Sequence, residues 1–257
     1  MFPPEKSDLA NITNCVILSN IMRGAELRKA RLNAGWTQNR LASRLGVTQA
    51  YMSLMEKAKR RVPDRVARRV TSLFQLPPTL LPVSGEVGSR VPVTEERVEQ
   101  GLARLDYPGF AYRKRQGKRQ NPGELLLMAL SLDDLDPRLT EALPWLLVKF
   151  EGLDFKSLVD HAKANDLQNR LGFTVSLAEQ VAARNPEFMK NSSELHQTKQ
   201  LLEKSRLALE GTYGRRETGD RMRTWLHENR SPEAKHWNLL TDLRVEHLPY
   251  ANTRTLD

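Results

Sequence analysis

The sequence predicts an all-α protein with a small N-terminal domain of four or five helices, a linker and a larger helical C-terminal domain. Three observations lead to this prediction. The alternation of apolar and polar residues that is typical of strands is almost absent from the 257 residues. Helix-capping residues recur at the starts of periodic segments. A stretch rich in Pro, Gly and Ser, residues 76–94, lies between the two helical parts.

These patterns divide the chain into four parts. Residues 1–23 show no convincing periodicity, and we interpret them as an N-terminal extension, with Met22 as a candidate natural start. Residues 24–78 form the first helical domain and residues 79–94 the linker. Residues 95–257 form the second helical domain.

The first predicted helix covers residues 24–34 and ends at Gly35, since glycine readily leaves the helical conformation. Its apolar residues lie roughly on one side (Leu27, Ala30 and Ala34).

The next two helices each begin at a threonine, whose hydroxyl can accept a hydrogen bond from a first-turn N–H. Thr37 caps the second helix, which is predicted to run through Leu45. Gly46 suits the left-handed residue of a tight turn. Thr48 then caps a third helix, which runs through about Glu56.

The fourth predicted helix lies in "VPDRVARRVTSLFQLPP", residues 62–78. Pro63 and Asp64 favour its first turn, and Pro77 and Pro78 end it. Its apolar residues are predicted to face the core (Val66, Val70, Leu73 and Phe74).

The C-terminal part contains further helical segments, several of which have recognisable caps. These caps are Thr94, Asp154, Asp136 with Pro137 and Ser231 with Pro232. The helical segments are residues 95–105, 123–132, 136–150, 154–185, 192–211, 218–230 and 231–243.

The positive charge of the protein is concentrated in the first domain. The formal net charge is +9, and residues 24–80 alone hold twelve Lys or Arg residues against three acids. Residues 81–257 hold equal numbers of basic and acidic residues. A small basic domain is typical of proteins that bind polyanions such as nucleic acids, whereas the alternative is an ordinary solvated face.

Composition argues against several other classes of protein. The apolar fraction of 39% is ordinary for a soluble protein, no apolar run is long enough to cross a bilayer, and a cytoplasmic location is predicted. A single cysteine, Cys15, allows neither an intramolecular disulfide nor a cysteine-based zinc site. The five histidines show no metal-binding spacing, and no phosphate loop or nucleophile elbow is present. We therefore predict no enzyme activity, metal or cofactor.

Residues 24–78 resemble the helix-turn-helix domains of the Cro and lambda-repressor type, the XRE family. The resemblance follows from residues at matching spacing: Leu27, Arg28, Thr37, Gln38, Leu41, Ala42, Leu45, Gly46, Val47, Thr48, Gln49, Met52 and Glu56. It implies a lambda-repressor-like fold that reads operator DNA, and hence a transcriptional regulator, with repressor as the first choice. It also implies a homodimer, because paired half-sites increase affinity.

The resemblance places the start of the third helix in the major groove and phosphate contacts around it. Glutamine can contact adenine through two hydrogen bonds, and alanine or leucine can touch the thymine methyl group. The expected DNA-binding residues are Thr37, Gln38, Arg40, Thr48, Gln49, Ala50, Tyr51, Ser53, Leu54, Lys57, Lys59, Arg60 and Arg61. The alternative is that some of them are plain surface residues and that Tyr51 is half-buried packing.

Two residues near the end of the third helix are given other roles. Glu56 would repel phosphate, so we expect it to pair with an arginine of the first helix such as Arg28. Ala58 stands where the family usually has glycine. If that position requires a left-handed backbone, the loop after the helix is expected to differ from that of the family.

The second helical domain is interpreted as an effector or interaction domain. Its overall pattern resembles the helix-turn-helix proteins that accompany AbiEii-like nucleotidyltransferase toxins, which implies an autorepressing antitoxin with a toxin as its protein partner. A ligand-sensing or prophage-type repressor with a small-molecule-binding helical domain is the alternative.

The basic run at residues 112–120 is either a solvated loop or a second contact with DNA or an acidic partner. Trp145 and Trp237 are predicted to be core residues, or interface residues if they are exposed.

Overall fold

The computed structural model describes residues 22–81, 83, 92–113, 117, 119–215 and 219–252. The predictions for residues 1–21, for most of the linker and for residues 114–116 and 118 of the basic run lie outside the described residues. The described part contains twelve α-helices and two strands of two residues each, which confirms the all-α fold class. The chain divides into two compact units, Met1–Gly85 and Glu86–Asp257.

The described residues of the N-terminal unit form four α-helices and a short 3-10 turn at Pro78–Leu80. The helices are α1 (Gly24–Asn33), α2 (Gln38–Leu45), α3 (Gln49–Glu56) and α4 (Asp64–Leu73). A small core lies between them and includes Leu27, Leu41 and Val66. Helix α1 ends at Asn33, one residue before the predicted end; Ala34 is exposed, whereas Arg31 is buried.

Gly24 allows the first turn of α1 to lie directly on the end of α3. A Cβ atom at this position would come within 1.9 Å of the backbone oxygen of Met55. Any side chain larger than hydrogen would therefore separate the two helices.

The described residues of the C-terminal unit form eight α-helices around a larger apolar core. They are α5 (Glu95–Arg104), α6 (Pro122–Leu130), α7 (Pro137–Lys149), α8 (Phe155–Ala164), α9 (Gln168–Arg184), α10 (Ser192–Glu203), α11 (Asp220–Asn229) and α12 (Pro232–His236). Short 3-10 turns lie at Pro108–Phe110, Pro186–Asn191 and Val245–His247.

The predicted caps are confirmed in both units. Each cap side chain accepts a hydrogen bond from a backbone N–H in the first turn of its helix, which is the physical reason for choosing these residue types. The confirmed caps are Thr37, Thr48, Thr94, Asp136, Asp154 and Ser231.

Three of the predicted C-terminal segments are interrupted or end early. In residues 192–211 the helix ends at Glu203, and Gly211 begins strand β1 (Gly211–Thr212). Residues 154–185 form two helices because Asp166 adopts a left-handed conformation, with φ 56°. In residues 231–243 the helix ends at His236, and Asn238 has φ 53°. The chain then forms strand β2 (Leu239–Leu240), which pairs in parallel with β1 (Gly211–Thr212).

Both tryptophans that were predicted to be core residues are buried. Trp145 is 3% exposed, and Trp237 has no exposed surface. The Trp237 ring lies against Gly172, where a Cβ atom would come within 2.5 Å of it. The indole Nε1 donates to Ser176 Oγ at 2.9 Å, so the polar group of Trp237 is satisfied within the core.

Candidate nucleic-acid interface

Helices α2 and α3 are joined by a tight turn at Gly46. The backbone of Gly46 is left-handed, with φ 70°, as the sequence predicted. The N–H of Val47 then donates to the carbonyl of Ala42 at 3.0 Å, which closes the end of α2. Ala42 itself is buried, and its small side chain suits the close contact between α2 and α3.

The apolar face of α3 holds this helix against the rest of the unit. Met52 and Met55 are fully buried, and Tyr51 packs against the core while remaining partly exposed. The alternative interpretation of Tyr51 as half-buried packing therefore describes part of its environment.

None of the thirteen residues expected to bind DNA is buried. Most are exposed, and Leu54 is 38% exposed despite its apolar side chain. Gln38, Tyr51 and Ser53 are partly buried. All thirteen lie on α2, on α3, at their caps or in the loop that follows α3, so this short part of the chain brings them together.

A chain of hydrogen bonds, which we call the Arg31–Gln49 relay, joins four side chains of three helices. Arg31 Nε and Nη2 donate to Glu56 Oε1 and Oε2 at 2.6 and 2.9 Å. Gln38 Nε2 donates to Glu56 Oε2 at 2.8 Å. Gln49 Nε2 then donates to Gln38 Oε1 at 2.8 Å. The relay therefore connects a buried ion pair to an exposed glutamine at the start of α3.

The ion pair within the relay is well shielded from water. The side chain of Arg31 is 8% exposed and that of Glu56 is 2% exposed. Burial alone would raise the pKa of Glu56, but the hydrogen bonds from Arg31 and Gln38 and the nearby positive charges lower it below its usual value. Glu56 is therefore ionised at neutral pH. It pairs with the first helix as expected, but through Arg31 rather than Arg28.

Arg31 also anchors the connection between α1 and α2. Its Nη1 atom donates to the backbone oxygen of Trp36 at 2.8 Å. The guanidinium of Arg40 lies 4.3 Å from the centroid of the Trp36 ring, a cation–π geometry. The Trp36 ring in turn packs edge-on against Phe74, with 5.3 Å between centroids. The exposed cation of Arg40 is thus positioned by the aromatic ring beneath it.

The loop after α3 folds back onto the end of that helix. The N–H groups of Ala58 and Lys59 donate to the carbonyls of Met55 and Leu54, the pattern of a Schellman motif. Ala58 has φ 55°, so this position does require a left-handed backbone, and the loop adopts it without glycine.

The four cations after α3 are exposed, but one of them has a partner. Lys57, Lys59 and Arg60 project from the folded-back loop with exposed side chains. Arg61 forms an ion pair with Asp64, at 3.5 Å, in which both side chains are about half exposed. Exposed pairs of this kind contribute little to stability, so phosphate can compete for Arg61.

Sequence reasoning missed two features of this site. It treated Gln38 and Gln49 as separate DNA contacts, whereas their side chains bond to each other. It also did not single out Arg31, although the side chain of this residue is buried in an ion pair with Glu56. A basic residue on the apolar side of α1, adjacent to Ala30, was the available signal.

The described part of the basic run is tied to acids of its own unit. Arg113 bonds to both carboxylate oxygens of Glu99, at 2.8 and 2.7 Å. Arg119 pairs with Asp106 at 3.2 Å. These contacts favour the solvated-loop interpretation for these two arginines.

The geometry defines a helix-turn-helix unit with a basic surface, and comparison with known proteins agrees. Residues 24–83 match the family model of a helix-turn-helix domain. Neither the curated proteins nor the solved structures gave a match to the chain. The N-terminal unit therefore contains a helix-turn-helix DNA-binding domain, which indicates a DNA-binding regulator.

The described residues contain neither a membrane-spanning helix nor a metal-binding cluster. No helix in this part of the chain combines the length and the apolar character needed to cross a membrane. No group of three or more His, Cys, Asp or Glu side chains in it is arranged to hold a metal ion.

Proposed function

We propose that the protein is a sequence-specific transcriptional regulator of the XRE type that represses its own operon. The observation that supports this most is the exposed Gln49 amide at the start of a capped α3, bonded to Gln38 on α2. A recognition helix needs side chains that are exposed and yet held in position, and the relay provides both.

In this proposal α3 enters the major groove and Gln49 contacts adenine. Ala50 and Leu54 touch thymine methyl groups, and Ser53 contacts a base edge. Tyr51, although partly packed, lies beside them on α3.

The DNA backbone is held by groups on both sides of α3. The first turns of α2 and α3 direct N–H groups and the caps Thr37 and Thr48 toward phosphate, with Gln38 adding a contact. The exposed cations Arg40, Lys57, Lys59, Arg60 and Arg61 bind the phosphates by charge.

The groove assignment is tested by selecting duplexes from a random-sequence DNA pool with the full-length protein. We expect enrichment of one sequence and loss of preference at one base pair when Gln49→Ala removes the amide. Arg60→Ala should weaken binding to all duplexes and reduce the salt slope by about one, because one phosphate contact is lost. Lys163→Ala in the C-terminal unit is the charge-matched control. If the pool yields no enriched sequence, the protein does not read DNA by sequence.

The same selection tests the proposed homodimer. Two recognition helices related by a two-fold axis require two half-sites in inverted order. An enriched sequence without internal symmetry would contradict the homodimer.

We further propose that the protein is the antitoxin of a toxin–antitoxin or defence operon and that its C-terminal unit binds the toxin. The exposed face of α11 supports a protein partner. Met222 is 42% exposed and Trp225 47% exposed, and they lie three residues apart on one face of the helix. Exposed tryptophan is typical of the centres of protein interfaces.

The antitoxin proposal is tested by coexpressing the product of the adjacent gene and measuring the mass of the purified complex by light scattering. A stable complex that is lost in Trp225→Ser but kept in Glu228→Ala, an exposed change on the same helix, is expected. If the neighbouring product and this protein elute separately, the antitoxin proposal is wrong.

A cavity lined by described residues of the C-terminal unit is a candidate site for the ligand-sensing alternative. It has a volume of about 370 Å³, and Asn169, Arg170 and Glu210 are among the residues that line it. Three of its polar side chains already bond to the protein: Asn169 and Arg170 contact backbone groups, and Glu210 pairs with Arg223. This arrangement favours the antitoxin proposal over a ligand sensor.

A further inference from the structure

The Arg31–Gln49 relay contains one group that can only accept hydrogen bonds. An ionised carboxylate has no proton to donate, whereas an amide side chain has a donor end and an acceptor end. Glu56 therefore determines the orientation of Gln38, whose NH₂ group must face the carboxylate. The Gln38 carbonyl then faces α3 and requires a donor from Gln49.

The orientation of Gln49 follows from this sequence of contacts. One Nε2 hydrogen is used by Gln38, so Gln49 presents its Oε1 atom and its second Nε2 hydrogen to its exposed side. An acceptor beside a donor complements adenine, which offers its N6 donor and N7 acceptor in the major groove. The opposite orientation would present two donors, which complement the O6 and N7 acceptors of guanine.

We propose that Glu56, held by Arg31, is a specificity-determining positioning residue that makes Gln49 select adenine over guanine. This inference rests on the proposed function, since it assumes that Gln49 faces a base. Glu56 itself is buried, with 2% of its side chain exposed, and is not one of the proposed DNA contacts. Its effect passes through Gln38: it determines which end of the Gln38 amide donates and which end accepts, and hence the orientation of the Gln49 amide.

Arg31 keeps that orientation constant. Its two hydrogen bonds to the carboxylate, at 2.6 and 2.9 Å, favour the ionised form of Glu56. Gln38 Nε2 and Arg31 Nη2 both donate to Glu56 Oε2, and Arg31 Nε donates to Oε1. The carboxylate is therefore held by donors from both α1 and α2.

The test uses the duplex that the full-length wild-type protein enriches from a random-sequence pool, together with versions in which each A·T pair is changed to G·C. Wild type should prefer adenine by about 5- to 140-fold at one position per half-site. Gln38→Met interrupts the relay and keeps the ion pair. The double variant Arg31→Met, Glu56→Met removes the carboxylate that orients the Gln38 amide, and it leaves no buried unpaired charge.

Both variants should reduce the preference for adenine over guanine to less than about threefold at that position, because the Gln49 amide becomes free to rotate. In the double variant, affinity for unselected DNA should stay within about twofold of wild type, since neither Arg31 nor Glu56 is a proposed phosphate contact. Met52→Leu, a core change of similar volume in α3, is the control and should keep the full preference.

The outcomes separate this inference from the proposed function. If Gln49→Ala leaves every base preference unchanged, Gln49 does not contact a base and the proposed groove assignment fails. If Gln49→Ala abolishes the preference but the double variant keeps it in full, Glu56 does not set the orientation and the inference alone is overturned. A double variant that does not fold is replaced by Glu56→Gln, for which retention of the full preference would equally contradict the inference.

Discussion

The N-terminal unit buries a charged pair, whereas the buried polar side chains described in the C-terminal unit are neutral except for Glu124. Among the described residues the apolar core clusters also differ in size, with eleven buried residues in the first and forty-one in the second. A small core provides little stabilisation to spare. The stability of the N-terminal unit should therefore depend on its ion pair, and that of the C-terminal unit on the fit of its apolar side chains.

The two units also differ in the surface that one helix of each presents to solvent, which is polar on α3 and apolar on α11. Helix α3 presents Gln49 and Ser53, with cations in the loop that follows it. Helix α11 presents Met222 and Trp225, and Leu226 is its buried residue. A polar face surrounded by positive charge suits DNA, and an apolar face suits a protein partner. Four substitutions test this comparison.

The largest expected effect is that of Arg31→Ala, which leaves Glu56 buried without its charged partner. We expect a loss of about 3 kcal/mol in the free energy of unfolding of the N-terminal unit. Hydrogen exchange of the α1–α3 amides measures this loss separately from the C-terminal unit. Lys29→Ala, an exposed change on the same helix, is the control. A loss below about 1 kcal/mol would show that the ion pair does not dominate this unit.

Gly172→Ala should destabilise the C-terminal unit by about 2 kcal/mol, because overpacking outweighs the gain in helix propensity. The added methyl group would lie within 2.5 Å of the buried Trp237 ring. Hydrogen exchange of the α9 amides reports the change, and the α1–α3 amides should be unaffected. Ala183→Ser, at an exposed position of the same helix, is the matched control. Unchanged α9 protection would contradict the close fit.

Ala58→Gly should stabilise the N-terminal unit by about 1 kcal/mol. Ala58 has φ 55°, a conformation that is unfavourable for alanine and free of steric cost for glycine. Thermal unfolding followed by circular dichroism measures the gain. Ala50→Gly, at a helical position of α3, serves as the opposite control and should destabilise the unit.

The smallest effect on stability is expected for Trp225→Ser, within about 0.5 kcal/mol, because the side chain is 47% exposed. DNA affinity should also be unchanged in a band-shift measurement. A large loss of stability would mean that Trp225 is a structural residue and that α11 is not a free binding face.

The local elements of the fold were predictable because their signals lie within a few residues. The hydroxyl groups of Thr37 and Thr48 bond to amides three residues ahead, and Gly46 forms the turn by itself. The Arg31–Glu56 pair joins residues 25 positions apart, and no short pattern encodes the choice of Arg31 over Arg28. The strand at Leu239 pairs with Gly211, which is distant in sequence. A prediction from local patterns therefore extended the helix capped by Ser231 across this strand.

In the candidate site, too, contacts between residues that are distant in sequence could not be predicted. The residue types around α3 were predictable from the helix-turn-helix pattern, whereas the bond between Gln38 and Gln49 depends on the packing of α2 against α3. The exposure of Met222 and Trp225 was not predicted either, because it depends on which face of α11 the rest of the unit leaves uncovered.

The burial of the four tryptophans has a spectroscopic consequence. Trp145 and Trp237 lie in the C-terminal core, Trp225 is about half exposed on α11, and Trp36 lies partly buried under the Arg40 guanidinium. Emission from the two core indoles should be blue-shifted and resistant to iodide, whereas Trp225 should be quenched readily. Variants that keep one tryptophan at a time would then give an optical signal for each region, with Trp36 reporting events at the DNA-binding unit and Trp225 reporting the arrival of a protein partner.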